Sequence, residues 1–135
     1  RRQRQMCIRD RDNAPEPDLI IEVDDNLVAD VEGMSIYHGD KTSYLVVSSQ
    51  GDDSYVLYSS EAPYEYVGRF NIGMNSKAGI DGASETDGLD VTSTALGSAY
   101  PEGLLVVQDG RNVMPAQYQN FKLVSWSDIA RELGL

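Results

Sequence analysis

The stretch that decides the fold covers residues 34–72, MSIYHGDKTSYLVVSSQGDDSYVLYSSEAPYEYVGRFNI. Four apolar or alternating segments, at residues 34–37, 43–49, 54–60 and 64–72, are separated by clusters of Gly, Asp, Ser and Pro. Short segments rich in Val, Ile, Tyr and Phe between such turns are typical of antiparallel strands. Four strands in about 40 residues have the size of one propeller blade.

A second, smaller strand unit is predicted after this stretch. A loop at residues 73–88, rich in Gly, Ser, Asp, Glu and Asn, is followed by strand patterns at residues 89–94, 103–108 and 119–126. Propellers have about four to eight blades, and this length supplies fewer than two complete ones. We therefore expect an all-β fold that forms the C-terminal part, about two blades, of a longer propeller protein.

The last residues predict a short C-terminal helix at residues 127–135. Ser127 is the expected N-cap, and Asp128 lies in the first turn, where a negative charge favours the helix dipole. Ile129 and Leu133 are spaced to form one apolar face.

Composition and charge limit the partners of the chain. The 135 residues include 11 Lys+Arg and 22 Asp+Glu, so the formal net charge is −11, which argues against nucleic acid as a partner. An apolar share of 41% allows a core, and no apolar run approaches the roughly 18 residues of a membrane span, so no membrane partner is expected. Residues 1–18 are polar, Arg-rich and without period, and we predict a disordered or foreign leader there, with the domain at residues 19–135.

Few residues could support nucleophilic or zinc chemistry. The sequence contains no P-loop and no dinucleotide fingerprint, and its one histidine, His38, lies in a Gly-Asp turn where an exposed side chain is expected. Cys7 is the one cysteine and lies in the predicted leader, without the electropositive neighbours that activate a thiol.

Oxygen donors in loops at strand ends are abundant by contrast. Six candidates stand out by position: Asp30, Glu32, Gln50, Asp81, Asp109 and Asn112. Asp87 and Asp90 lie near them in the sequence. Such side chains are what Ca²⁺ binds, in groups of six to eight. Each residue alone is also ordinary turn chemistry. An EF-hand is excluded, since the sixth position from Asp81 is Thr86 where glycine is required.

Several motifs together resemble the C-terminal part of the β-propeller phytases. The order of the motifs and the gaps between them agree with that family from about residue 27 to the end of the chain. The motifs are ADVEGM at 29–34, SSQG at 48–51, IDGASETDGLDV at 80–91, YPEG at 100–103, VQDG at 107–110 and QNFK at 119–122.

The resemblance implies a six-bladed, calcium-dependent phosphatase that is secreted or periplasmic and monomeric when full length. Its substrate would be phytate, inositol hexakisphosphate, taken as a calcium complex. The resemblance assigns Asp30, Glu32 and Gln50 to the catalytic calcium ions, and it implies that the isolated fragment is inactive.

The same resemblance places Asp81 in a structural calcium pair, with Asp109 and Asn112 in a neighbouring ligand segment. Arg111 departs from the family pattern, because some members carry an acid there. An arginine cannot coordinate calcium but can pair with Asp109 or with substrate phosphate. The alternative function is a non-catalytic, calcium-stabilised propeller module that binds a carbohydrate or a protein.

Overall fold

The computed structural model describes residues 7–8 and 18–135, in which two antiparallel sheets account for most of the regular structure. In chain order the elements are β1 (Cys7–Ile8), β2 (Asp18–Leu19), β3 (Met34–His38), β4 (Ser43–Ser49), β5 (Ser54–Ser59), β6 (Tyr66–Asn71), β7 (Leu89–Thr92), β8 (Leu104–Asp109), β9 (Asn120–Ser125) and α1 (Trp126–Leu133). The all-β prediction is confirmed.

The first main sheet has four strands in the order β3-β4-β5-β6, as the sequence predicts. Each strand pairs with the next one along the chain because the connecting turns are short. Opposite pairs such as Val46 with Leu57 and Val47 with Val56 set the register of the two central strands. β6 begins at Tyr66 rather than at residue 64, because Tyr64 belongs to the preceding turn: its N–H donates to the carbonyl oxygen of Glu61, and its φ of 59° is not that of a strand.

Both faces of this sheet are covered, which explains why β4 and β5 read as continuous apolar runs. Val46 and Leu57 face the second sheet and helix, where they pack with Leu105, Val107 and Trp126. The opposite face of the sheet, which includes Val47 and Val56, packs against the preceding segment. That segment contributes Leu27, Val31, Ile20, Ile21 and Val23.

The second main sheet has three strands in the order β7-β8-β9. The limits of all three strands lie within two residues of the predicted ones. β9 pairs with β8 alone among the described residues, and its side chains Phe121 and Leu123 are exposed. A sheet of three strands next to one of four fits one complete and one smaller blade.

The helix begins one residue earlier than predicted, and its N-cap is Ser125 rather than Ser127. Trp126, predicted to end the last strand, is the first helical residue, because its ring is buried against Tyr37 of β3. The predicted apolar face is correct, since Ile129 is buried and Leu133 packs on the core. The helix ends at Leu133, two residues before the predicted end, because Gly134 adopts the left-handed conformation that glycine tolerates best.

The predicted leader lies mostly outside the described residues. Of residues 1–18, the structure describes the Cys7–Ile8 and Asp18 backbone, paired as β1 with β2. Within the described part of the chain, no helix is long and apolar enough to cross a membrane.

Candidate functional site

Loops from both sheets meet at one end of the molecule. β3 starts, β4 ends and β5 starts at this end of the first sheet. Gly33, just before β3, lies so close to the start of β7 that a Cβ atom there would be 2.9 Å from Leu89 N. We call this side of the molecule, formed by residues 28–33, 50–53, 72–88 and 109–119, the loop end.

Asp30 and Glu32 lie on an extended segment that is fastened to the end of β4. Ser48 Oγ accepts the backbone N–H of Gly33 at 2.8 Å and that of Glu32 at 3.4 Å. The backbone N–H of Gln50 donates to the carbonyl oxygen of Asp30 at 3.0 Å. The three predicted catalytic residues are therefore brought together by backbone contacts, with both acids half-buried.

The side chain of Gln50 links the two sheets. Its Nε2 donates to Asp87 Oδ1 at 2.8 Å, and the backbone N–H of Asp87 donates to Gln108 Oε1 at 2.9 Å. This chain of contacts fixes the orientation of the Gln50 carboxamide and holds the loop at residues 80–88 against the segment that carries Asp30 and Glu32.

The turn after Gln50 is held by a second set of polar contacts. Asp52 accepts hydrogen bonds from the hydroxyl groups of Ser49 and Ser54, both at 2.7 Å, and pairs with Arg69 at 3.1 Å. Burial alone would raise the pKa of Asp52, but these hydrogen bonds and the arginine charge together lower it. Asp53 Oδ1 accepts the N–H of Glu85, a further tie between the sheets.

The other three predicted ligands, Asp81, Asp109 and Asn112, also converge, but around the side chain of Lys122. Lys122 Nζ lies 2.6 Å from Asp81 Oδ1, 2.9 Å from Asn112 Oδ1 and 3.1 Å from Asp109 Oδ2. All four residues are buried. We call these four residues the Lys122 cluster.

Charge within the Lys122 cluster stabilises the ionised forms. The hydrogen bond from Lys122, followed by that from the Val113 N–H, lowers the pKa of Asp81 to about 2. Burial would lower the pKa of Lys122, but the hydrogen bonds to Asp81 and Asp109 outweigh burial and raise it. The pair therefore carries opposite charges at neutral pH.

The side chain of Arg111 pairs with an acid that the sequence analysis did not suggest. Its guanidinium group forms an ion pair with Glu85, and only its backbone N–H contacts Asp109 Oδ1, at 3.2 Å. The suggested side-chain pairing of Arg111 with Asp109 is therefore wrong. Glu85 is the neighbouring acid because the loop at residues 80–88 folds back over the end of β8.

The two groups of predicted ligands differ in their fit to a calcium ion. The carboxylate of Asp30 has no hydrogen-bond or ion-pair partner among the described residues, so it is available to a cation. Within residues 19–135, no three His, Cys, Asp or Glu side chains lie together in a way that could hold a metal. Asp30, Glu32 and Gln50 have the oxygen chemistry that calcium prefers, but alone they could supply only part of its six to eight ligands. In the Lys122 cluster, an ammonium group lies where an ion would have to bind.

Sequence reasoning missed Lys122 as a member of this cluster. The available signal was the alternation in β9, where Phe121 and Leu123 occupy one face and Lys122 the other. An apolar pattern usually identifies the buried face, but here the apolar side chains are exposed and the lysine is buried.

The fold and the site together define a class of protein: an all-β protein whose loops collect oxygen donors at one end. The chain belongs to the Phytase family, since the sequence model of that family matches residues 16–135. It is 47% identical over 113 residues to the 3-phytase of Bacillus subtilis (strain 168). This match covers 82% of the chain and 29% of the relative, so the chain spans less than a third of the length of that protein.

Proposed function

We propose that this chain is the C-terminal part of a calcium-dependent phosphomonoester hydrolase that acts on phytate. Membership of the Phytase family and the similarity to a 3-phytase support the substrate class. The observation that carries the proposal is the contact between Gln50 and Asp87. It joins the loops of both sheets beside Asp30 and Glu32, at the end where oxygen donors collect.

The charge of the chain supports the proposed dependence on a cation. A protein segment with a net charge of −11 repels a polyphosphate unless bound divalent cations reverse the local sign. Calcium at the loop end would supply positive charge to the phosphate oxygens and to the leaving oxygen during phosphoryl transfer.

The residues of this chain have distinct positions in the proposed site. Asp30 and Glu32 are two residues apart on an extended segment, so their side chains project from the same face. Ser48 fixes the backbone of this segment, and Asp87 fixes the carboxamide of Gln50. No protein nucleophile is required, and calcium coordination is the role proposed for the two acids and the glutamine.

Three further properties are proposed on the resemblance. The complete protein is secreted or periplasmic, it is monomeric, and it takes phytate as a calcium complex. Isolated residues 1–135 are inactive in this proposal, because half of a site cannot stabilise the charge of the transition state.

The proposal is tested in a hybrid that joins residues 19–135 to the preceding part of the Bacillus subtilis 3-phytase. Glu32→Gln should lower the rate of phosphate release from phytate on the order of 100-fold, as loss of one preorganised charge contact typically does. The melting temperature should stay nearly unchanged. Glu61→Gln is the matched control, since Glu61 is exposed in the turn between β5 and β6, away from the loop end.

Normal turnover of the Glu32→Gln hybrid at saturating phytate and calcium would contradict the catalytic role of this acid. If that variant also lost the stabilisation given by calcium, the alternative function, a calcium-stabilised binding module, would be favoured. Phosphate release by the isolated chain, abolished by Asp30→Ala, would show that the missing part is not needed.

A further inference from the structure

Lys122 occupies the centre of an oxygen cluster built from three separate segments of the chain. Lys122 is 6% exposed, and its ammonium group contacts one side-chain oxygen from each of Asp81, Asp109 and Asn112. An ammonium has three N–H donors and no acceptor. The number of oxygens around Lys122 therefore matches the number of its donors.

The remaining capacity of these oxygens is also used by donors of this chain. Asp81 Oδ2 and Asp109 Oδ1 each accept two backbone N–H groups, and Asn112 Oδ1 accepts one more side-chain amide. These donors belong to Val113, Met114, Ser84, Arg111 and Asn120. Groups that donate hydrogen bonds stabilise the carboxylates in the same way as a cation does. Asp109 Oδ2 accepts from no other group and is held by the ion pair with Lys122.

A calcium ion and the ammonium group of Lys122 cannot share this space. Calcium binds oxygen ligands at 2.3–2.6 Å and collects six to eight of them. The oxygens of the Lys122 cluster already lie 2.6–3.1 Å from Lys122 Nζ. Calcium could enter only if Lys122 left, and a buried carboxylate pair without a cation would be costly in the meantime.

We infer that Lys122 is the resident cation of this cluster and that its ammonium group, not calcium, fastens the loop at residues 80–88 to β8 and β9. The inference concerns a different set of residues from Asp30, Glu32 and Gln50. It stands whether or not the complete protein hydrolyses phytate.

The first test is amine acetylation of the 135-residue chain, followed by mass spectrometry. The sequence has three lysines, and Lys41 and Lys77 are exposed, so they act as internal controls. Lys122 should react at least about tenfold more slowly than both controls, since acetylation needs local opening of the cluster. Its protection should be the same in millimolar calcium and in chelator. Fast acetylation of Lys122, or its exposure on addition of calcium, would overturn the inference.

The second test compares melting midpoints in calcium and in chelator. Asp81→Asn should lower both midpoints equally, because the negative charge that it removes is paired with Lys122. Lys122→Ala should melt at a lower temperature than the wild-type chain in chelator. Calcium should restore part of this loss, because the ion can enter the space that the lysine side chain leaves. Lys122→Met is the control that fills this space, and its midpoint should not respond to calcium in this way. If calcium stabilises the wild-type chain and Asp81→Asn alone abolishes that effect, calcium is the cation of the cluster and the inference is wrong.

Discussion

Two buried tyrosines of β5 differ in what their hydroxyl groups contact. The Tyr55 hydroxyl lies 2.6 Å from Thr86 Oγ1, whereas the Tyr58 hydroxyl has no hydrogen-bond partner among the described residues. Burial raises the pKa of each phenol to about 12. Because both side chains are buried and only one hydroxyl makes a hydrogen bond, comparing the two isolates the contribution of that hydrogen bond to stability.

We predict that Tyr58→Phe changes the free energy of unfolding at neutral pH by less than about 0.5 kcal/mol, because it removes a buried hydroxyl that makes no hydrogen bond. Tyr55→Phe, the matched control, should destabilise by about 1 kcal/mol through loss of the contact with Thr86. Urea unfolding measures both values. A larger loss for Tyr58→Phe would reveal a partner that the described residues do not supply.

The same tyrosine has a consequence at alkaline pH. The pKa of Tyr58 is raised from its ordinary value of 10.0 to about 12, so the unfolded chain loses this proton first. The stability that the neutral phenol contributes is complete below pH 10 and is lost as the pH rises from about 10 to about 12. The free energy of unfolding of Tyr58→Phe should therefore fall less between pH 10 and pH 12 than that of the wild-type chain. Urea unfolding at several pH values in this range measures the difference.

Single residues also show why part of the site could not be predicted. The oxygen donors were identifiable because Asp, Glu and Gln at strand ends are a local pattern. Lys122 was not, since its partner Asp81 is 41 positions away and its burial depends on how the loop at residues 80–88 folds over β9. Whether a lysine within an apolar strand is buried or exposed cannot be decided until the groups that pack on both faces of the strand are known.

At the level of elements, the strands were predictable and their connections to each other were less so. Turn residues limit β3 to β6 closely, and alternation supports β6. The predicted start of α1 was wrong because a serine lies on either side of Trp126. The hydroxyl of Ser125 makes no capping hydrogen bond, and the packing of Trp126 on Tyr37 is what accompanies the earlier start. The contact between β3 and β7 joins the sheets and has no local signal other than Gly33.

Gly33 lets the start of β3 approach the start of β7. A Cβ at this position would lie 2.9 Å from Leu89 N and 3.2 Å from Asp87 O, both backbone atoms that cannot rotate away. We predict that Gly33→Ala destabilises the chain by about 1–3 kcal/mol, the usual cost of overpacking. Thermal unfolding measures the effect.

Gly88 is the matched control for this substitution, since a Cβ there would have no heavy atom within 4 Å. Gly88→Ala should leave the melting temperature within a degree or two of the wild-type value. Equal effects of the two substitutions would show that the approach of β3 to β7 is not as tight as described.

At the level of the whole molecule, β9 leaves an apolar edge in contact with solvent. Phe121 is 69% exposed and Leu123 is 55% exposed, on a strand that pairs with β8 alone among the described residues. Open, apolar strand edges are sites of association between chains. The Phytase relative is more than three times as long as the part that this chain matches, so behaviour of the isolated chain at this edge need not be that of the complete protein.

We predict that the isolated chain self-associates through β9 and that Phe121→Lys reduces this association. The added charge disfavours edge-to-edge pairing without removing a core residue. Sedimentation velocity at several concentrations measures the change. Leu96→Lys is the control, because Leu96 is 49% exposed but lies outside the strands, and this variant should associate like the wild-type chain. Equal association of all three proteins would place the contact elsewhere.

The stacking of Tyr37 on Trp126 gives the molecule a built-in optical reporter. The two rings lie 3.6 Å apart at an interplanar angle of 7°, one from the first sheet and the other from the helix that follows the second. Trp126 is the only tryptophan of the chain, so emission excited selectively from its indole arises at this one junction. A red shift of that emission during unfolding marks the moment when water reaches the junction between the two sheets, whereas circular dichroism follows the loss of the strands themselves. Comparing the two signals along one denaturation curve shows whether the two sheets separate before their strands unfold.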